Sequence, residues 1–489
     1  MRVFFYQLPT NYLPITTNLV VIFVIKCYGI YQFKYHWYLV MKIPVIPPGF
    51  NLLLSAIAEN PERIGELLSL GTKPDPKGKY HHWDKLRHLK LPKQISNHEE
   101  WWLAIKFARK TLYKNIPHSD KYGNHFIYAE PDTVRRLLHE IDIHGGGELK
   151  ATEQVANPNT RDTYLINSLI EESITSSQLE GAATTRKVAK EMIRQKRKPR
   201  DKSETMILNN YYAMEFIKDI SNETLTPELI YELHTILSKN TFGDPIAEGR
   251  LRTSDNIYVG DDRDATKLHV PPKATELRNR MENVCNFANT THPTEFLHPV
   301  LRAIILHFLL AYDHPFEDGN GRTARALFYW SMLKQGYWTM EFISISRILK
   351  SAPAKYTRAY LYTETDDSDV TYFIIHQLEV INKAISDLLL YLEKKLTEIN
   401  TIEQIMRKSP NIQNLLNNRQ AALINRAIKN PDAIFYVESH RGAHNVTYDT
   451  ARTDLLKLVS MGLLDKTKVG KAFVFSATSN LKKKLESIK

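Results

Sequence analysis

The chain has 489 residues, with 65 Lys and Arg against 54 Asp and Glu, a formal net charge of +11, 43% hydrophobic residues and 24% charged residues. This composition excludes an intrinsically disordered or collagen-like chain and supplies enough apolar side chains for more than one core. Only Cys27 and Cys285 are present, which excludes a disulfide framework and a cysteine-based zinc site within one chain; a reducing, cytoplasmic setting fits best. The basic excess permits contact with nucleic acid or acidic partners without demanding it.

The first 58 residues contain no Asp or Glu. Leu19 to Ile25 is apolar, but Lys26 ends the run, and a bilayer span needs about 20 residues. Arg2 lies upstream as in a signal peptide, yet no small-residue cleavage site follows. Residues 1–40 therefore read as an extension without function, with Met41 as a second start. A membrane anchor is the alternative; no membrane is expected.

Residues 41–160 form an N-terminal helical region. Leu52, Leu53, Ala56, Ile57, Ile64, Leu67 and Leu68 carry a helical period through 49–72, which the Pro74–Gly78 cluster breaks. His81 and His82 are adjacent, so they point apart on a helix, and a packed element around Trp83 is expected instead of a metal site. Further helices are expected over 99–112 and 131–141.

A helix over 163–181 places Leu165, Leu169, Glu172, Ser176 and Glu180 near one stripe, and Gly181 stops it. Glu180 then lies against the unfavourable end of the helix dipole, so a cation is expected beside it unless it is exposed. The basic run 186–200 reads as a solvated helix face. A helix over 225–238 follows, started by Thr226-Pro227-Glu228.

The texture changes over 249–271. Asn256–Val259 and Lys267–Val270 flank a Gly/Asp turn and predict a hairpin, the only clear one before the C-terminal region. It is a candidate edge for strand addition by an extended peptide, or a structural flap with no guest. Helices are then expected over 274–290, 300–311, 323–336, 344–350, 353–362 and 370–398. Residues 401–489 read as a separate module. Helices at 419–428 and 448–461, followed by a hairpin over 465–475 with Gly470 in its turn, have the order of a winged helix-turn-helix domain. Lys466, Lys468 and Lys471 lie on the wing; whether it reads DNA or docks protein stays open.

The chemistry concentrates in His314-Pro315-Phe316-Glu317-Asp318-Gly319-Asn320-Gly321-Arg322, with Arg325 one turn further on. An apolar helix precedes the stretch and another helix follows it, so the loop opens a helix and aims N–H groups at one point. Gly319 and Gly321 flank Asn320 in an anion nest. Arg322 and Arg325, three apart, suit phosphate groups. A carboxylate at Asp318 beside phosphates makes sense when a divalent metal such as Mg2+ bridges them. His314 is a candidate base. A zinc site of His298, His307 and His314 is disfavoured by separations that are not the usual ligand spacings.

This stretch resembles the Fic-family motif H-P-F-x-(D/E)-G-N-G-R-x-x-R at every specified position. Ser176-Ser177-Gln178-Leu179-Glu180-Gly181 resembles the family's inhibitory motif (S/T)-x-x-x-E-(G/N), here upstream of the catalytic stretch, and the 256–270 hairpin sits where the family has its target-positioning flap. The resemblance implies a mainly α fold: a Fic domain over 161–400 that includes an inhibitory helix at 163–181, with the winged-helix module at 401–489 as an associated module; it says little about 41–150 and nothing about 1–40. It implies a protein adenylyltransferase that moves AMP from ATP to a Ser, Thr or Tyr hydroxyl of a protein. His314 would be the base, Asp318 the Mg2+ ligand, and Gly319, Asn320 and Gly321 the anion hole. Arg322 would bind phosphate, Phe316 would anchor the loop, and Arg325 would be contested between the γ-phosphate and Glu180. The family's kinases carry Ala and Lys where Gly319 and Gly321 stand, which favours AMP transfer. Use of another nucleotide, transfer of phosphocholine, AMP removal and auto-modification stay open, as does a homodimer. A winged-helix DNA-binding regulator is the alternative of another class.

Overall fold

The structure is a computed structural model in which residues 42–146, 158–242, 245–261, 266–290, 296–408, 415–429, 433–444, 446–469 and 472–487 are described. The extension at 1–40, Gly147, the hairpin tip at 262–265, Gly470 and Lys471 lie outside them. Among the described residues no helix is long and apolar enough to cross a membrane.

The N-terminal region opens with α1 (Phe50–Ile57) and α2 (Pro61–Ser69) in place of the single helix that the apolar period suggests. The break has a local cause. Pro61 lacks the N–H needed to continue α1, while Asn60 caps α2 by accepting from the Arg63 N–H. After a single turn, α3 (Trp83–Leu86), comes α4 (His98–Lys110), N-capped by Asn97. It buries Trp101, Trp102 and Ile105 together with Lys106 and Arg109. His82 stacks on Tyr362 at 4.3 Å, as part of the packing around Trp83.

One expectation fails here. Strands β1 (Lys114–Ser119) and β2 (His125–Tyr128) pair antiparallel, so the hairpin near 260 is not the only one before the C-terminal region. Pro117 inside β1 and the short strand β2 hide the alternation that marks a hairpin in sequence. Helix α5 (Asp132–Ile141) follows.

The central part is built on two helices. In α11 (Pro299–Asp313) almost every side chain is buried, and α12 (Asn320–Lys334) packs against it. Around them stand α6 (Pro158–Leu179), α7 (Arg186–Arg194), α8 (Lys202–Asp219), α9 (Pro227–Ser238) and α10 (Leu277–Asn289). Helix α8 has no clear apolar stripe, because Glu204, Asn209 and Asn210 are buried beside Met206, Ile207 and Ile217. Between α9 and α10 the hairpin β3 (Val259–Asp261) and β4 (Thr266–His269) pairs antiparallel with Val259 opposite His269. Helices α13 (Ile345–Ser351), α14 (Pro353–Thr365) and the long α15 (Thr371–Lys408) close this part.

Buried charge ties the N-terminal region to the turn between α14 and α15. Lys106 reaches Asp366 at 2.8 Å, Arg109 donates to the Tyr372 hydroxyl at 2.7 Å, and Tyr80 donates to Asp369 at 2.6 Å.

The C-terminal module runs α16 (Asn418–Lys429), β5 (Ile434–Phe435), α17 (Val437–His444), α18 (Tyr448–Ser460), β6 (Leu464–Val469), β7 (Ala472–Ala477) and α19 (Leu481–Ser487). Its antiparallel sheet has the order β5-β7-β6. Ile424, Leu455, Leu458 and Phe475 are fully buried in its own core. Helix α17 shows no apolar period in sequence; only Val437 and His440 are buried on it.

Candidate functional site

The site begins where α11 ends. His314 caps that helix in the left-handed region, φ +46°, which non-glycine residues rarely adopt. Its N–H donates to the Leu310 carbonyl at 3.1 Å. Arg252, itself buried, grips the next stretch of backbone: its Nε donates to the His314 carbonyl at 3.0 Å and its N–H to the Pro315 carbonyl at 2.9 Å. On the other side Asp313 is buried between His118, at 2.9 Å, and the Arg280 Nε, at 2.8 Å. Burial alone would raise this carboxyl, yet His118 and Arg280 hold it below the usual carboxylate range.

Burial pushes the His314 imidazole down to about 4, with His269 adding to the effect and the Ala311 backbone opposing it. The ring is therefore neutral near pH 7.

Phe316 is fully buried and stacks on His234 at 3.8 Å. The Gly249 N–H donates to His234 Nδ1 at 3.0 Å, so Nε2 carries the proton, and it donates to the Asp318 carbonyl at 2.9 Å. His234 thus pins the loop from α9. Asn320 clamps it from within, its Oδ1 accepting from the Phe316 N–H at 2.9 Å and its Nδ2 donating to the Phe316 carbonyl at 2.8 Å. Gly319 has φ +81°, and a Cβ there would lie 3.3 Å from His234 Nε2.

Gly319, Asn320 and Gly321 lie at the start of α12, where the first turn has N–H groups without intrahelical acceptors. In this structure the Gly319 N–H is engaged by Asp318 Oδ1 at 2.6 Å. The two arginines diverge rather than sharing a partner. Arg322 is buried and donates to the Leu237 carbonyl at 2.9 Å, leaving its Nε and Nη2 buried without a hydrogen-bond partner. Orphaned guanidinium donors in a dry site call for an anion. Arg325 turns to α6, where its Nε donates to the Ser176 hydroxyl at 2.9 Å and its Nη2 to Glu180 Oε1 at 2.8 Å.

Helices α6 and α12 meet along matched stripes. Glu172 accepts from the Tyr329 hydroxyl at 3.0 Å, one turn before the Ser176–Arg325 bond, and Glu180 lies one turn beyond it. The Glu180 carboxylate sits on the first turn of α12, so that a Cβ at Gly321 would run into it. Glu180 thus occupies the place where the helix dipole and Arg325 together favour an anion.

A cavity of about 180 Å³ opens beside these groups, lined by His314, Glu180, Gly321 and Arg325, by Val259, Leu268 and His269 of the hairpin, and by Tyr356, Tyr360 and Glu364 of α14. A larger depression of about 660 Å³ lies elsewhere and includes none of these groups. Among the described residues no group of three or more His, Cys, Asp or Glu side chains is placed to hold a metal ion. Mg2+ does not require one, since it binds through one or two carboxylates, water and substrate phosphates. The half-exposed Asp318 carboxylate, beside the orphaned donors of Arg322, fits that donor set. Of the other histidines considered above, His307 bonds the Tyr356 hydroxyl at 2.8 Å and His298 bonds Asp142 at 3.0 Å.

Residues 224–332 match the model of the Fic/DOC family. The chain carries a Fic domain. The protein adenylyltransferase Fic of Drosophila virilis is 34% identical over 133 residues, which cover 26% of this chain and 26% of that protein. The protein adenylyltransferase Fic of Nematostella vectensis is 34% identical over 116 residues, 24% of this chain and 25% of that one. The chain thus spans about a quarter of the length of the curated relatives it matches. A crystal structure of a Fic family protein from Desulfovibrio desulfuricans G20 aligns with a TM-score of 0.46 at 20% identity, covering 71% of this chain and 95% of that one.

Four residues around the Fic loop escape the sequence reading: His118, His234, Arg252 and Arg280. Each acts on a loop carbonyl or on Asp313 from 33 to 195 positions away. The one hint is a histidine, His234, on the apolar face of α9, where it is fully buried.

Proposed function

We propose that the chain is a protein adenylyltransferase that moves AMP from ATP to a Ser, Thr or Tyr hydroxyl of a protein, held at rest by Glu180. The observation that carries this reading is the Glu180–Arg325 contact on the first turn of α12. A carboxylate there mimics the terminal phosphate of a nucleotide and keeps it out. The names of the matched relatives support AMP transfer.

ATP lays its phosphates along the start of α12, with the N–H groups of Gly319, Asn320 and Gly321 and the free donors of Arg322 on their oxygens. Arg325 takes the γ-phosphate once Glu180 withdraws. Asp318 would hold a Mg2+ ion, which would supply positive charge to the phosphate oxygens. The target oxygen attacks the α-phosphorus while its proton passes to the unprotonated ring nitrogen of His314. The bond to the bridging oxygen breaks, and pyrophosphate leaves. With Arg325 occupied by Glu180, the α-phosphate is misplaced for in-line attack.

Incubation with α-labelled ATP tests this: Glu180→Gly gains label, and His314→Ala loses it. Mass spectrometry separates the alternatives, since a nucleotidyl group adds far more mass than one phosphate, and AMP removal would strip a modified target. Another reading concerns the C-terminal module. Its order of helix, strand, two helices and two strands, with Lys466 and Lys468 exposed on β6, favours a winged helix-turn-helix that binds DNA. A gel shift whose affinity does not fall steeply with salt would reject it.

A further inference from the structure

A second cavity, of about 430 Å³, lies between the hairpin β1–β2, α10 and the start of α11. It is within the range of roughly 300–1,000 Å³ typical of small-ligand pockets. Its most unusual wall residue is Arg302, in the first turn of α11. Arg302 is only 8% exposed. Among the described residues no carboxylate pairs with it; its guanidinium donates from Nη1 to the Phe287 carbonyl at 2.6 Å and lies 5.5 Å from the centre of the Phe287 ring. That bond caps the last turn of α10 but uses only one of the guanidinium's N–H groups. Arg302 itself lines the cavity. Burial lowers the pKa of the group, with Tyr128 opposing the shift, and the positive end of the α11 dipole adds to the charge there.

The remaining walls suit a particular guest. Ile116, Phe287 and Leu297 give apolar surface, and Asn115, Asn283 and Asn286 also line the cavity. His125 and Tyr128 also line it, with no lysine or second arginine beside them. One planar guanidinium matches one carboxylate bidentately in both charge and geometry; a phosphate dianion would leave charge uncompensated.

We propose that this cavity is a ligand site for a small organic monocarboxylate whose polar body groups meet the asparagines. Arg302 binds the carboxylate, and the apolar wall takes the rest of the molecule. The inference stands apart from the Fic loop and does not depend on its chemistry.

The test is a titration of the full chain by ligand-observed NMR with N-acetyl-leucine, N-acetyl-leucinamide and inorganic phosphate. Saturable binding of the acid is expected, with the amide and phosphate at least ~10-fold weaker. Arg302→Met should remove the preference for the acid. Asn283→Leu leaves the guanidinium in place and supplies the same comparison should Arg302→Met fail to fold; it should weaken the acid several-fold. Equal binding of acid and amide, stronger binding of phosphate, no binding of the acid, or unchanged affinity in both variants would overturn the proposal.

Discussion

The Glu180 carboxylate accepts from the Arg325 guanidinium at 2.8 Å, across 145 positions of sequence. The arginine is buried and the glutamate is partly exposed, so the pair opens from the glutamate side. Ser176 holds the same arginine through its hydroxyl and its carbonyl, which keeps Arg325 oriented when Glu180 leaves. On the proposed function the contact would act as a gate on an arginine that Ser176 already holds in place.

Replacing Glu180 with Gly should raise self-labelling from α-labelled ATP by roughly 10²-fold, the scale set by a small misplacement at a reacting centre. Stability should fall by only about 1–3 kcal/mol, because the Ser176 bonds remain. A urea melt measures the second quantity. Labelling equal to that of the parent would remove the inhibitory role.

Asp318→Asn separates charge from loop shape. The amide oxygen can still accept from the Gly319 N–H as Oδ1 does now, so the loop keeps its conformation. Loss of the charge should lower the labelling rate of the Glu180→Gly background by roughly 10²-fold and raise the Mg2+ concentration needed for half-maximal rate. Chelation with EDTA should abolish labelling in the parent background. A rate indifferent to Mg2+ would remove the carboxylate's assigned role.

His234 and Arg252 are predicted to be positioning residues. His234→Ala removes the stack on Phe316 and the bond to the Asp318 carbonyl, and should cost about 2–4 kcal/mol by denaturant melt. Arg252→Gln frees the carbonyl of His314, so kcat should fall by more than tenfold (about 10–10²-fold) with the KM for ATP nearly unchanged. A change confined to KM would place Arg252 in nucleotide binding instead.

The pH dependence follows from buried imidazoles. Burial holds His82, His234, His314 and His376 at about 4 in the folded chain, below the ordinary value of about 6.5. Between those values the unfolded chain binds more protons, so stability is full above about 6.5 and falls as the pH drops towards 4. Thermal melts between pH 7.5 and 4.5 (a range of about three units) should show this loss. The acid limb of the labelling rate, set by His314, should lie near pH 4 to 5 rather than 6.5 (about two units lower) in the Glu180→Gly background. A midpoint at the ordinary histidine value would show that the base is solvated.

The loop was legible because its chemistry is local. Histidine, carboxylate, glycines and arginines within the twelve residues from His314 to Arg325 can be read as a phosphate site before any partner is known. The hairpin β1–β2 and the helices α8 and α17 were not, since proline, buried polar residues and a short apolar stripe mask their periods. The single helix expected over 49–72 divides at Pro61, where a missing N–H outweighs the apolar period.

By itself the sequence determined the mainly helical class, named candidate reacting groups, and left Glu180 either beside a cation or exposed, because spacing along a helix and the sign of its dipole are properties of the chain alone. Tertiary structure shows Arg325 as the cation beside Glu180, the partner that the family resemblance implies. It also decided that Arg322 and Arg325 face different elements, that His314 is neutral, and that His234 and Arg252 shape the loop. Those outcomes depend on burial and on contacts between segments far apart in sequence, and no local pattern encodes the distance at which two helices pack.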